Sequence, residues 1–309
     1  MPSFKVVSLN ISRKKGTVKN PEEAVTLGPL GVEGDAHAGK WHRQVSLLGT
    51  ESYQKVAESS GLKLVHGAFA ENITTEGFIL YKANVFDRFV AGDIILEVTQ
   101  IGKKCHKGCE IQKQTGDCIM PREGIFCRVL KGGNLKAGKE FEYIPRVISV
   151  QVITLSDRAY AGDYEDKSGP AAEKLMKEFF ESNGRSHHIK RVILPDSEEK
   201  IREALKSSLR ENYDIIITTG GTGIGPRDIS PEVIKPLIDK EIPGIMEHIR
   251  MKYGSQKPNA LISRSLAGVA GKSLVYVLPG SVKAVNEYLS EIILTIEHSL
   301  RMLHSIDSH

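Results

Sequence analysis

The stretch Gly220-Gly221-Thr222-Gly223-Ile224-Gly225-Pro226-Arg227-Asp228 has the composition of an anion-binding loop. Small residues at this density let a backbone turn sharply and present successive N–H groups to a phosphate. Turn geometry alone accounts for one or two of these glycines, but not for a loop this rich in them that ends in Arg-Asp. Three other segments carry acids, hydroxyls and small residues of the same kind. They are Ser156-Asp157-Arg158, with Asp166-Lys167-Ser168-Gly169 shortly after; Leu194-Pro195-Asp196; and Leu278-Pro279-Gly280-Ser281. Taken alone, Asp196 reads as a helix cap, since Glu199 follows three residues later in a capping-box pattern. A second concentration of chemistry is the cysteine cluster Cys105, Cys109, Cys118 and Cys127, set among Lys103, Lys104, Lys107 and Lys113. A cationic neighbourhood lowers a thiol pKa and makes a thiolate available. The spacing excludes a c-type haem site. It leaves open structural zinc on Cys105, His106, Cys109 and Cys118, and also small buried thiols with no chemistry at all.

The elements around these segments decide what they can do. After Pro145, apolar runs alternate with helix-period segments. VISVQVITL, HIKRVILP, YDIIITT and SLVYVLP read as strands. Helices are predicted after Pro170, from Asp196, from Ser230-Pro231 and over Val282 to Leu303. Such alternation predicts an α/β domain in three layers, a mainly parallel sheet covered by helices on both faces. In an open sheet of that kind ligands bind outside the carboxyl ends of the strands, and every segment named above except the cysteines follows a predicted strand. Two nucleotide motifs are excluded. Gly271-Lys272-Ser273 ends like a P-loop, but the first glycine of that pattern would fall on Leu266, and the segment precedes a strand. The dinucleotide fingerprint fails because Pro226 stands where its last glycine belongs. From Phe4 to about Tyr143 the runs are short and alternating, as in FKVVSLNIS, DIILEVTQIG and KEFEYI, which predicts a β-rich barrel or sandwich with one helix over Glu51 to Ser60. The expected domains are 1–145 and 146–309.

A length of 309 residues suits two cores at about 100–200 residues each. With 40% hydrophobic and 26% charged residues, the chain is neither disordered, collagen-like nor stapled by disulfides. A net charge of +4, interspersed with acids, does not call for a nucleic-acid partner. No apolar run approaches the ~20 residues of a membrane span, and the first residues lack a secretory pattern. The expectation is a soluble, cytoplasmic protein.

Taken in order, TLSDRAYAGDYEDKSGP, LPDSEE, TTGGTGIGPRDISPE, SRSLAG and VLPGS resemble molybdopterin adenylyltransferases of the MogA/MoaB type across residues 147–303. The resemblance implies a homotrimer formed through this domain. It also implies the reaction of molybdopterin with MgATP to give adenylylated molybdopterin and pyrophosphate. In that reading Asp196 and Asp228 are catalytic and hold Mg²⁺. Ser156, Asp157, Ser168, Gly169, Gly220, Gly221, Thr222, Gly223, Pro279, Gly280 and Ser281 bind the substrates. The first half resembles a MOSC domain through GVEGDAHAGKWHRQVSLL, ENITTEG, GKKCHKGCEI, GDCIMPREGIF and VLKGG, departing from it at Lys139 and Cys127. A MOSC domain implies that the molybdenum cofactor binds here or that sulfur is carried on a cysteine, for which Cys109 matches best and Cys105 second. His37, His42 and Arg43 are either turn residues or the lining of an anionic pterin-phosphate pocket. Molybdenum insertion proteins, sulfur donors and molybdoenzymes are the further partners implied. A different class of function, a non-catalytic carrier or store of the cofactor, is opposed by an acid-bearing phosphate loop that a carrier has no need of.

Overall fold

The computed structural model describes residues 2–61, 63–103 and 118–306. The chain divides into two compact units, Met1–Arg146 and Val147–His309.

The first unit is built on β1 (Ser3–Ile11), β2 (Asn20–Glu22), β3 (Ala24–Gly28), β4 (Gly31–Val32), β5 (Val45–Gly49), β6 (Ile73–Glu76), β7 (Arg88–Ala91), β8 (Ile94–Ile101), β9 (Ile125–Lys131), β10 (Gly133–Lys136) and β11 (Glu140–Ile144). Helices α1 (Thr50–Ser60) and α2 (Met120–Glu123) interrupt them. An eight-stranded sheet runs β11-β7-β8-β9-β5-β6-β1-β2, and β11 also pairs with β1, which closes it into a barrel with β2 outside the ring. Closure leaves few backbone groups exposed at an edge. The alternation in SFKVVSLNI sends Phe4 and Val6 inward while Ser3 and Lys5 stay in solvent. Inside the barrel Phe4 meets Phe89 edge-on at 4.9 Å and stacks on Phe141 at 5.5 Å.

Two buried polar groups organise the loops of this unit. Lys19 Nζ donates to Asp35 Oδ2 at 2.5 Å, with both side chains out of solvent. Burial disfavours the charge on Asp35, yet the hydrogen bonds from His37 and Lys19 hold its carboxyl well below the usual range. Glu71 accepts hydrogen bonds from the Tyr53 hydroxyl, the Gly67 N–H and the Thr74 hydroxyl.

The second unit contains β12 (Ile148–Leu155), β13 (His187–Leu194), β14 (Ile215–Thr219), β15 (Lys240–Glu241), β16 (Leu266–Ala270) and β17 (Ser273–Leu278). Its helices are α3 (Asp157–Ala161), α4 (Ser168–Ser182), α5 (Glu198–Arg210), α6 (Ser230–Ile234), α7 (Pro243–Gly254) and α8 (Val282–Leu303). The strand order is β13-β12-β14-β17-β16-β15. The first four are parallel, whereas β16 pairs antiparallel with β17 and β15 pairs antiparallel with β16, with Gly271-Lys272 forming the turn into β17. Successive side chains point to opposite faces of a strand. On one face Ile153, Leu155, Ile216, Val275 and Val277 pack with Ile201 and Leu205 of α5 and Val233 and Ile234 of α6. The opposite phase, including Val152, Ile217 and Tyr276, is buried where α4 and α8 cross the sheet. These helices present Ala172, Met176 and Phe180, and Val285, Leu289, Ile292 and Ile296, at helical spacing. Each fully buried aliphatic side chain contributes about 2 kcal/mol relative to exposure.

From β12 the chain passes first to β13 on one side and then to β14 on the other. That reversal opens a crevice outside the carboxyl ends of β12 and β14.

Candidate active site

The crevice holds two adjoining cavities. A wide one of about 730 Å³ is lined by the ends of β12, β14 and β17, by Tyr164, Asp166 and Ser168, and by Asn259, Ile262 and Ser263. A narrower one of about 230 Å³ adjoins it and is lined by Asp157, Asp196, Arg227 and Asp228 together with Ser156, Arg158 and Gly221. Ser156, Gly220, Gly221, Thr222, Gly223, Pro279 and Gly280 all line the wide cavity.

Local bonding explains the shape of the glycine loop. Gly220 has φ +110° and Gly221 φ +64°, conformations that side chains disfavour. The loop carbonyls are turned away and tied down. The Ser230 hydroxyl donates to Gly220 O at 2.8 Å and the Ser230 N–H to Gly221 O at 3.1 Å. The Arg264 N–H donates to Thr222 O at 3.0 Å and its Nε to Gly223 O at 2.7 Å. Among the described residues no acceptor is paired with the N–H groups of Gly221, Thr222 or Gly223. A run of unpaired N–H groups of this kind is a receptor for an anion. Asp228 folds back over the loop, its Oδ2 accepting the Gly225 N–H at 2.9 Å.

The acids of the narrow cavity are interlocked. Asp157 N–H donates to Asp196 Oδ2 at 3.1 Å, and Asp196 N–H returns the bond to Asp157 Oδ1 at 3.0 Å. Arg227 forms an ion pair with Asp157 Oδ2. Burial pushes the Asp196 carboxyl up, and the charges of Asp157 and Asp228 add to the rise against a backbone hydrogen bond and Arg227. Among the described residues no group of three His, Cys, Asp or Glu side chains is placed to hold a metal unaided. Asp196 and Asp228 face one cavity beside the open N–H groups, which suits a hard cation that takes one or two carboxylates and completes its shell with phosphate oxygens and water.

Several sequence expectations change. Asp196 does not cap a helix: α5 begins at Glu198 after Ser197, and the Asp196 carboxylate turns to Asp157. Ser230 is the first residue of α6, and its hydroxyl serves the glycine loop. Ser281 caps α8 by accepting the Ala284 N–H at 3.2 Å, and neither cavity includes it. Gly169 lies beneath the site, its N–H bonded to Asp166 Oδ1, where a Cβ would strike Asp166 and Thr154. Asp166, one of the acids of the strand-end segments, binds Thr154, Ser168 and Gly169 together. Arg264 lies some forty positions from the glycine loop in the segment SRSLAG, and its spacing gives no sign that it reaches the loop.

In the first unit Cys127 is fully buried on β9, and burial pushes its thiol well above the usual value, the buried-thiol reading. Cys105, His106, Cys109, Lys104, Lys107 and Lys113 lie outside the described residues. Lys103 Nζ sits over the Phe126 ring at 5.4 Å. Of the residues expected at an anionic pocket, the His37 main-chain N–H donates to Asp35 Oδ1, the Arg43 guanidinium lies on the Trp41 ring at 4.9 Å, and the His42 main-chain carbonyl accepts the Thr99 hydroxyl.

Comparison with known proteins finds two family models along the chain. "Probable molybdopterin binding domain" matches residues 151–298, and "MOSC domain" matches residues 34–142. Gephyrin of Dictyostelium discoideum is 36% identical over 172 residues, covering 54% of this chain and 23% of its own length, so the chain spans less than a quarter of that relative. Molybdopterin adenylyltransferase of Helicobacter pylori is 35% identical over 159 residues, 51% of this chain and 89% of that protein. The crystal structure of the tungsten cofactor synthesizing protein MoaB from Pyrococcus furiosus matches at 36% identity, with a TM-score of 0.45, over 53% of this chain and 99% of that one.

Proposed function

The chain belongs, through residues 151–298, to the molybdopterin-binding family that includes the molybdopterin adenylyltransferases, and from this membership we propose that its second unit adenylylates molybdopterin with MgATP. One observation carries the reading: the open N–H groups of Gly221, Thr222 and Gly223 stand beside Asp196 and Asp228 at the sheet's carboxyl edge. An oxygen of molybdopterin would bond to the α-phosphorus of ATP as the bond to the β-phosphate bridge breaks, and pyrophosphate leaves. The loop N–H groups hold phosphate oxygens and favour the charge that develops on them. Asp196 and Asp228 would hold Mg²⁺, whose chemistry when bound is to neutralise charge on the polyphosphate. The wide cavity has room for the larger ring system and the narrow one for the acids and phosphates. The same reading makes the second unit a homotrimer, for which the exposed apolar side chains of Met251, Leu294 and Met302 supply surface to bury. The MOSC unit would bind the cofactor or carry its sulfur. No observation favours the carrier alternative.

Single-turnover assays on the full chain test this, with mass spectrometry of the product. Asp228→Asn is expected to slow adenylyl transfer by about 10²–10³-fold while molybdopterin affinity changes only a few-fold, because the carboxylate acts mainly in the transition state. An undiminished rate in the variant, or no adenylylated product from the wild type, would overturn the assignment.

A further inference from the structure

Arg264 stands between the 3₁₀ turn Pro258–Ile262 and β16, and it touches the glycine loop at three points and α6 at a fourth. Its backbone N–H donates to Thr222 O at 3.0 Å and its Nε to Gly223 O at 2.7 Å. One terminal nitrogen donates to the Asp228 carbonyl, and the other pairs with Glu232 of α6. The segment is itself held from behind, where Arg250 donates to Ser265 O at 3.1 Å. Asn259, Ile262 and Ser263, immediately before Arg264, line the wide cavity.

We propose that Arg264 is the positioning residue of the phosphate loop. Its guanidinium sets the separation of Gly223 and Asp228 and keeps the loop carbonyls outward, so that the N–H groups face the ligand. This rests on the loop being the cradle for the nucleotide phosphates. A planar guanidinium offers several donors in one rigid fork, so a single group can bridge two carbonyls and a carboxylate in fixed relation. A lysine ammonium carries as much charge but is a flexible point donor, and it cannot span the same acceptors. Arg264 touches neither cavity directly, so its effect on the reaction must pass through the loop. Because its own segment forms a wall of the wide cavity, filling that cavity also bears on the loop.

The test uses the full chain with Arg264→Lys, Arg264→Ala and Glu232→Gln. Hydrogen exchange over residues 219–230 is measured without substrate, and steady-state kinetics are measured with MgATP and molybdopterin. Arg264→Lys is expected to lower kcat by about 10–100-fold while the nucleotide KM rises only a few-fold, since small misplacements of catalytic groups act mostly on the transition state. Exchange is expected to quicken in the loop and not in β12, β14 or β17. Millimolar guanidinium ion should restore part of the rate of Arg264→Ala and none of Arg264→Lys. Unchanged loop exchange with unchanged kcat in Arg264→Lys would overturn the proposal, as would quickened exchange spread evenly over the unit. If Arg264→Ala does not fold, Arg264→Lys and Glu232→Gln decide in the same way, the latter with a smaller shift confined to the loop. Absence of transfer in the wild type would count against the reaction assigned above, and loop exchange would still decide the part played by Arg264.

Discussion

Asp196 carries a carboxylate that the fold makes harder to ionise, through burial and through the charges of Asp157 and Asp228. A carboxyl whose pKa is raised on folding contributes stability that is fully present below its unfolded value. That contribution is lost as the pH rises through the folded one. At neutral pH the ionised Asp196 therefore costs stability, and an asparagine in its place removes the cost while keeping an oxygen to accept the Asp157 N–H. Asp196→Asn is expected to raise the melting midpoint of the second unit by about 1–2 °C at pH 7, with the gain shrinking towards pH 4. Adenylyl transfer should fall by the order given for Asp228→Asn. Scanning calorimetry across that pH range checks it. A lowered midpoint at pH 7 would mean that Asp196 serves the fold and not the ligand.

At the scale of elements, the loop from Gly220 to Asp228 is a strand end converted into a receptor by its neighbours. Ser230 at the start of α6 takes the first two carbonyls, and Arg264 before β16 takes the next ones. Asp228 returns across the loop so closely that a Cβ on Gly223 would stand 2.7 Å from its Oδ2. No left-handed backbone is involved at Gly223, so an alanine there can be accommodated by displacing the carboxylate alone. Gly223→Ala is expected to cost about 10²-fold in kcat with a melting midpoint within 2 °C of wild type. Single-turnover rates and a thermal scan together check this; a rate close to wild type would show that the placement of Asp228 is not critical. The glycine pattern made the loop legible, because small residues and sharp turns go together at short range. Its clamp was not legible, because Arg264 reaches the loop only after β14 and β16 have been laid into one sheet.

For the whole molecule, two compact units each with its own core predict two separable transitions. Ligand that binds one folded unit stabilises that unit by about 2.7 kcal/mol at a hundred times its dissociation constant. Saturating MgATP is therefore expected to move the transition of the second unit up by roughly 5–10 °C and to leave that of the barrel in place. Residues 147–309 expressed alone should show the same shift. A single transition, or two that move together, would show that the units depend on one another.

Sequence by itself determined the alternating strands of the barrel, the strand–helix alternation after Pro145 and the closing helix Val282–Leu303. It also identified the glycine loop and its acids. All of these are written in periodicity and local turn chemistry, which depend on residues a few positions apart. Tertiary structure alone decided that Asp196 faces Asp157 instead of capping α5, that Ser281 caps α8 outside the cavities, and that β15 and β16 run antiparallel at the sheet edge. It also brought Arg264 to the loop. Each of these depends on which groups meet across the sheet, and a carboxylate, hydroxyl or guanidinium has the same local signature whichever partner it finds.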